Sequence, residues 1–261
     1  MTIADWGSVV IAAVILVNSA LRFAKGSPNV RLLCASLAMI IPLMGSISVI
    51  FDWADPLVGG RSYINLLTHL IMIYSEWSVA RATDETLQAI AHKRHRPVLL
   101  RGWVPLVALI GTVATFLWLS PAESSRGLSE YGTHPAYVAY WGFTILPLIL
   151  PAFNLVPRIW RGRHVLGIPK AVRAALGLLM ISFAGSVVLQ LAFIGAAVFP
   201  ELSSPRDILS TVVLLMFALS LLLATAALPP AGERPGRPSP PRSSRGPHLQ
   251  PDGAPGIRAT K

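Results

Sequence analysis

A glutamate inside an apolar stretch is the residue of this chain best suited to do chemistry. Glu76 stands near the end of the run from Asn65 to Trp77, among Leu66, Leu67, Leu70, Ile71, Met72 and Ile73. Asn65, His69 and Glu76 recur at steps of four and seven, so on a helix they share one face, with Thr68 beside it. If that helix begins near Ser62, His69 lies about 10 Å and Glu76 about 21 Å along it. A carboxylate in such surroundings needs a cation, a proton or several donors. It can carry a proton, bind a cationic solute, or pair with a basic residue for structure, the ordinary use. Arg22, Arg81 and Arg101 lie close enough in depth to reach it by extending their stems. Asn18, about 19 Å along its own helix, is a candidate hydrogen-bond partner at the same depth. For His69 the ordinary role is a hydrogen-bonded packing histidine.

The elements that would hold these residues are long apolar blocks. The 261 residues are 53% hydrophobic and only 13% charged, against about 25% charged in a soluble domain. Seven spans fall near 6–24, 31–51, 62–80, 99–120, 135–157, 172–198 and 208–228. Each approaches or exceeds the roughly 20 residues that cross about 30 Å of hydrocarbon. Helices are required there, because lipid offers no partner to a free backbone N–H or C=O. The expected fold is all-α, a polytopic membrane bundle of seven transmembrane helices over 1–228. The first span lacks a basic leader, since residues 1–5 carry Asp5 and no Lys or Arg, and it reads as a retained helix.

Orientation follows from Lys and Arg. The first, third and fifth links and the C-terminal tail hold 19 of the 22 basic residues, and the alternate links hold only Arg61, Arg126 and Arg206. The expectation is an N-terminus outside and a cytoplasmic C-terminus, in a multi-pass protein of a bacterial plasma membrane. The formal charge of +10 then needs no nucleic acid as partner. It places basic links beside anionic lipid at the cytoplasmic face of the bilayer. The cluster His92-Lys93-Arg94-His95-Arg96 belongs to that surface. Residues 81–96 allow span three to continue as a helix into the cytosol or to bend onto the membrane surface, and Pro97 stops it. The outer link 121–134 reads as loop. Residues 229–261 hold nine Pro and five Gly and read as a disordered basic tail.

Pro42, Pro105, Pro147 and Pro151 fall inside spans. Proline removes a helical hydrogen bond, and the pair Pro147/Pro151 marks a candidate hinge in span five. Trp6, Trp53, Trp77, Trp103, Trp118, Trp141 and Trp160 fall near span ends, as an aromatic interface belt does. Gln190 and Asn18 can join helices, and small residues of span six, such as Gly177 and Gly185, allow close approach. No phosphate loop, HExxH pair, GxSxG elbow, kinase signature or CxxC occurs. Cys34 stands alone, so no disulfide framework exists within the chain. A rhodopsin has the same orientation, but span seven has no Lys for retinal and no NPxxY-like ending. Histidines 92, 95 and 164 read as solvated. No catalytic residue, metal or cofactor is expected, and no enzyme.

Two stretches carry a family likeness: Asn29-Val30-Arg31-Leu32-Leu33-Cys34 leading into span two, and Asn65-Leu66-Leu67-Thr68-His69-Leu70 in span three. With the helix layout they resemble a group of uncharacterised actinobacterial integral membrane proteins often described as transporters. The resemblance covers residues 1–228. Fuller members carry a folded cytoplasmic region after the last helix, where this chain has its Pro-rich tail. The resemblance implies a transporter and transfers no catalytic residue. The function expected first is transport of a small solute or ion along the polar face of span three. The alternative is a sensor that docks a membrane protein partner through residues 81–96 and the tail.

Overall fold

The computed structural model describes residues 3–26, 30–91, 102–132, 134–164 and 168–227. The tail 229–261, the basic cluster 92–96, Pro97 and Arg101 lie outside the described residues. Those described form nine α-helices and no strand. In chain order they are α1 (Ile3–Ala24), α2 (Val30–Gly45), α3 (Ser48–Leu57), α4 (Tyr63–Ala91), α5 (Trp103–Leu119), α6 (Pro135–Thr144), α7 (Leu146–Gly162), α8 (Lys170–Val198) and α9 (Ser203–Ala226). Three of them, α1, α8 and α9, are long and apolar enough to cross a membrane, or five segments if the bent pairs α2–α3 and α6–α7 each count as one. Helix α5 is apolar but has 17 residues. Helix α4 has 29 residues, but Glu76, Arg81, Asp84 and Glu85 lower its hydropathy.

Contacts between helix ends fix an alternating course. The end of the bundle that holds Tyr63 is here the upper one. Helix α1 starts at the top, where Ser8 and Ser46 hydroxyls meet at 2.8 Å, and ends at the bottom, where Lys25 Nζ donates to the Thr225 and Ala226 carbonyls that close α9. A cation there satisfies the free carbonyls of a helix C-terminus. Helix α2 climbs, α4 descends, α5 climbs, α6 and α7 descend, α8 climbs and α9 descends. Helix α4 packs against α2, α5, α6 and α7 and so stands in the interior.

The sequence predicts one helix for span two, and the structure has two. Helices α2 and α3 meet at 91° around Ser46 and Ile47. Pro42 already withholds one helical N–H from α2. The turn is then fixed from another part of the chain: Asp5 of α1, itself buried, accepts from Ser48 N at 3.1 Å and from Ser48 Oγ at 2.9 Å. A carboxylate on a free first-turn N–H is what a helix N-terminus favours. Span five is also two helices, bent by 51°. The break falls at Ile145, and Pro147 sits in the first turn of α7, where its missing N–H costs nothing, while Pro151 lies inside that helix. Span three continues as helix to Ala91, α9 begins five residues before the expected start, and the upper link contains a short 3-10 helix at Arg126–Tyr131 rather than loop alone.

The surface is apolar and the interior partly polar. Leu16, Leu106, Ile110, Leu117, Phe153 and Leu191 are each more than half exposed, whereas Asn18, Asp55, Glu76 and Thr112 are buried. A water-soluble monomer rarely exposes so much contiguous apolar area. Interior hydroxyls return to their own helix: Ser36, Thr68, Ser75, Thr83, Thr115 and Ser182 each donate to a carbonyl four residues back. These features, with the membrane-length segments, are compatible with an integral membrane protein. Close helix approach comes from glycine. A Cβ at Gly111 would stand 2.2 Å from the Phe143 ring, so α5 and α6 can meet this tightly only with glycine at that position. Gly7 against Thr211 and Gly185 against Val213 make similar seams.

Candidate functional site

The polar face of α4 lines a central cavity of about 530 Å³, within the range of small-molecule sites. The cavity begins between exposed residues at the top, among them Asp52, Ser124, Glu130 and Asp207, and reaches down to Glu76. Residues of α1, α2, α3, α4, α6, α7, α8 and α9 line it, with the α6–α7 break at Ile145 on its wall. Beneath Glu76 the interior closes. Val79, Leu155, Ile159, Phe183 and Phe217 belong to one buried apolar cluster there. Ion pairs lie beside the lower part of that cluster, which continues to Leu32, Ala82 and Leu87. Arg158 bonds Asp84, Gln88 Nε2 donates to the other Asp84 oxygen at 2.6 Å, and Glu85 meets Arg31 at 3.2 Å and Arg81 at 3.7 Å. Among the described residues the cavity is open at the top and closed beneath Glu76.

Helix spacing brings Asn65, Thr68, His69, Met72 and Glu76 into the same cavity. Asn65 Nδ2 donates to the Ser125 carbonyl at 2.7 Å and thereby ties α4 to the upper link. His69 Nδ1 lies 2.6 Å from the Tyr140 hydroxyl, and that hydroxyl also donates to the Asn65 carbonyl at 3.4 Å. The imidazole stands edge-on to Trp141, with ring centres 4.6 Å apart. His69 therefore has the hydrogen bond of a packing histidine and also faces the cavity.

Glu76 is different. It is 2% exposed, and its Oε2 has no hydrogen-bond partner. Among the described residues, the pairings expected for it are not made. Arg81 bonds Glu85 and lies over the Trp77 ring at 5.5 Å, and Arg101 is outside the described residues. Arg22 is buried, and its Nε is likewise unpartnered. Asn18 lies off the cavity. Its Oδ1 accepts from Thr225 Oγ1 at 2.7 Å, and its Nδ2 donates to nothing. Asn18 joins α1 to α9 instead of meeting Glu76. Glu76 lines the cavity, yet its Oε2 is buried without a donor, the most costly kind of polar group to leave unmatched.

Several cavity residues do not stand out in the sequence. Arg206, which the charge pattern places only in an outer link, is buried in the first turn of α9. Its Nε and Nη2 donate to Asp207 Oδ1 at 3.0 and 2.8 Å, and its Nη1 donates to the Tyr137 hydroxyl at 3.1 Å. Its guanidinium lies 5.1 Å from the Phe193 ring centre, and Phe193 stacks on Trp141 at 4.5 Å. Trp141 is thus a cavity wall and not a member of an interface belt. Trp77 is also only partly exposed, whereas Trp6, Trp53, Trp103, Trp118 and Trp160 are exposed as a belt requires. The available signal is spacing: Tyr137 and Trp141 stand four apart, as do Arg206 and Ser210, so each pair shares a face. Among the described residues, no cluster of three or more His, Cys, Asp or Glu side chains is arranged to hold a metal ion. No family model, no curated protein and no solved structure matches this chain.

Proposed function

We propose that this protein transports a small solute across a membrane, through the cavity that Glu76 floors. The observation that carries the reading is the unpartnered, buried Glu76 carboxyl at the closed end of a cavity whose other end is open. An apolar plug and the ion pairs beside it complete the arrangement that alternating access requires. The chain crosses the bilayer seven times, with α6–α7 as one broken crossing and α3 lying across the upper surface. The N-terminus is outside and the C-terminus is cytoplasmic. Basic links lie against anionic lipid of a bacterial plasma membrane. This is the role implied by the actinobacterial group that the chain resembles, and the break at Ile145 supplies the hinge that Pro147 and Pro151 suggested.

The test is thermal unfolding of purified full-length protein in mild detergent against cationic, neutral and anionic solutes, for wild type and Glu76→Gln. A bound solute in hundredfold excess over its Kd adds about 2.7 kcal/mol. The expected result is a rise in melting temperature with at least one solute in wild type and none in Glu76→Gln. A flat response in both removes the cavity as a solute site. Orientation is checked separately on a Cys34→Ser background. Glu201→Cys should react with an impermeant maleimide added to intact cells and Arg163→Cys should not. The opposite pattern overturns the topology.

A further inference from the structure

We infer that the solute is an organic ammonium ion, with Glu76 as its counter-ion. This inference rests on the cavity reading above and narrows it to a chemical class. Four carboxylates face the cavity: Asp52, Glu76, Glu130 and Asp207. The single arginine among them, Arg206, is already engaged by Asp207 and the Tyr137 hydroxyl, so it offers no free fork to an anion. The charge that remains unmatched is negative, and it is deepest where Glu76 Oε2 has no donor. Carboxylates at a low-dielectric mouth concentrate cations and repel anions.

The donor set then separates organic from inorganic cations. A divalent metal needs six or more oxygen ligands or a cluster of nitrogen and sulfur ligands. Glu76 shares the cavity wall with His69, Met72, Trp141 and Leu148, and among the described residues no three His, Cys, Asp or Glu side chains gather to hold a metal. Carbon, thioether and aromatic surface suits the alkyl body of an amine. Aromatic faces also attract a cation, and the Phe193 ring here already lies against a guanidinium. A single buried carboxylate matches a single ammonium charge. The cavity volume leaves room for a substituent above it.

The inference is tested with charge-matched probes on the wild-type protein, so that the outcome does not depend on any variant folding. Choline is compared with 3,3-dimethylbutan-1-ol, and n-butylammonium with n-pentanol, at constant ionic strength. Binding is read from melting temperature and from intrinsic tryptophan fluorescence, in which Trp141 is one of seven emitters and the one on the cavity wall. The expected result is saturable binding of at least one ammonium compound, at least tenfold tighter than its neutral partner. Glu76→Gln should erase that preference, and Glu76→Asp should keep part of it. Equal binding of the charged and neutral members overturns the ammonium inference. So does binding of an anionic or neutral solute alone, and in both cases the cavity reading stands. No binding of any charged, neutral or anionic solute to folded wild type overturns both.

Discussion

Arg158→Ala destabilises the protein by about 3–5 kcal/mol, the cost of removing one member of a buried ion pair. Asp84 is the reason. Its side chain is 7% exposed, against 17% for Arg158. Without the guanidinium, Asp84 keeps only the Gln88 amide and remains an uncompensated charge between α4 and α7. The reverse change, Asp84→Ala, should cost less, because the longer and more exposed arginine can extend toward water. Replacing both, as Arg158→Leu with Asp84→Leu, should recover much of the loss, since paired removal leaves no orphan charge. The neighbouring Glu85 pairs are about half exposed and contribute only about 0–1 kcal/mol. Glu85→Ala is therefore the internal control. Unfolding in detergent checks the series. An Arg158→Ala variant within about 0.5 kcal/mol of wild type, the usual range of inert surface changes, would refute it.

Asp55→Ala is expected to cost a similar amount at the other end of the molecule. Asp55 is fully buried. Its Oδ1 accepts from Ile64 N at 3.1 Å, and its Oδ2 accepts from Ser62 N at 3.0 Å and Ser124 Oγ at 2.6 Å. Two of those donors are free N–H groups at the start of α4, and the third belongs to the upper link. Hydrogen bonds to a charged group contribute about 1.5–3 kcal/mol each, and truncation also strands the donors. A loss of about 3–5 kcal/mol follows, after some rehydration near the surface. Asp55→Asn should fall between, because its amide presents two hydrogens to a set of donors. Ser62 would feel the change most. It holds φ at 61°, a left-handed value that only surrounding bonds sustain in a serine. Its hydroxyl bridges to Ser125, which also anchors Asn65. Loss of solute response together with stability in Asp55→Ala, against loss of stability alone in Arg158→Ala, would separate the cavity rim from the lower seal. Melting curves that match wild type would exclude Asp55 as the organiser of this corner.

Some of this is legible in the sequence. Apolar blocks place most helix starts, because burial in lipid or protein needs apolar length, but they miss the ends of α3 and α4, which run six and eleven residues past the expected bounds. Steps of four and seven put Asn65, His69 and Glu76 on one face, since that spacing is a property of the helix alone. The α2–α3 bend is hidden for the converse reason. Residues 31–51 stay apolar through Ser46 and Ile47, and the group that fixes the turn is Asp5, 43 residues away from Ser48. Arg206 and Tyr137 meet across 69 residues, so no local pattern announces them. The partners expected for Glu76 fail because depth along a helix says nothing of rotation about it. Asn18 reaches a similar level on a helix that faces α9.

The polarity of α4 also bears on how the chain is made. A charged side chain at the centre of an inserting helix costs about 2.5–3.5 kcal/mol. Helices α1, α8 and α9 are apolar enough to enter lipid unaided, whereas α4 is not. Its most extensive neighbour, α2, is synthesised before it, but α5, α6 and α7 follow. In a seven-span topology α4 must therefore wait, half-partnered, until later segments emerge to cover Glu76 and to bring Arg158 to Asp84. A third crossing of that topology would be among the last to settle, and the residues that line the cavity on α4 would also set the order of assembly.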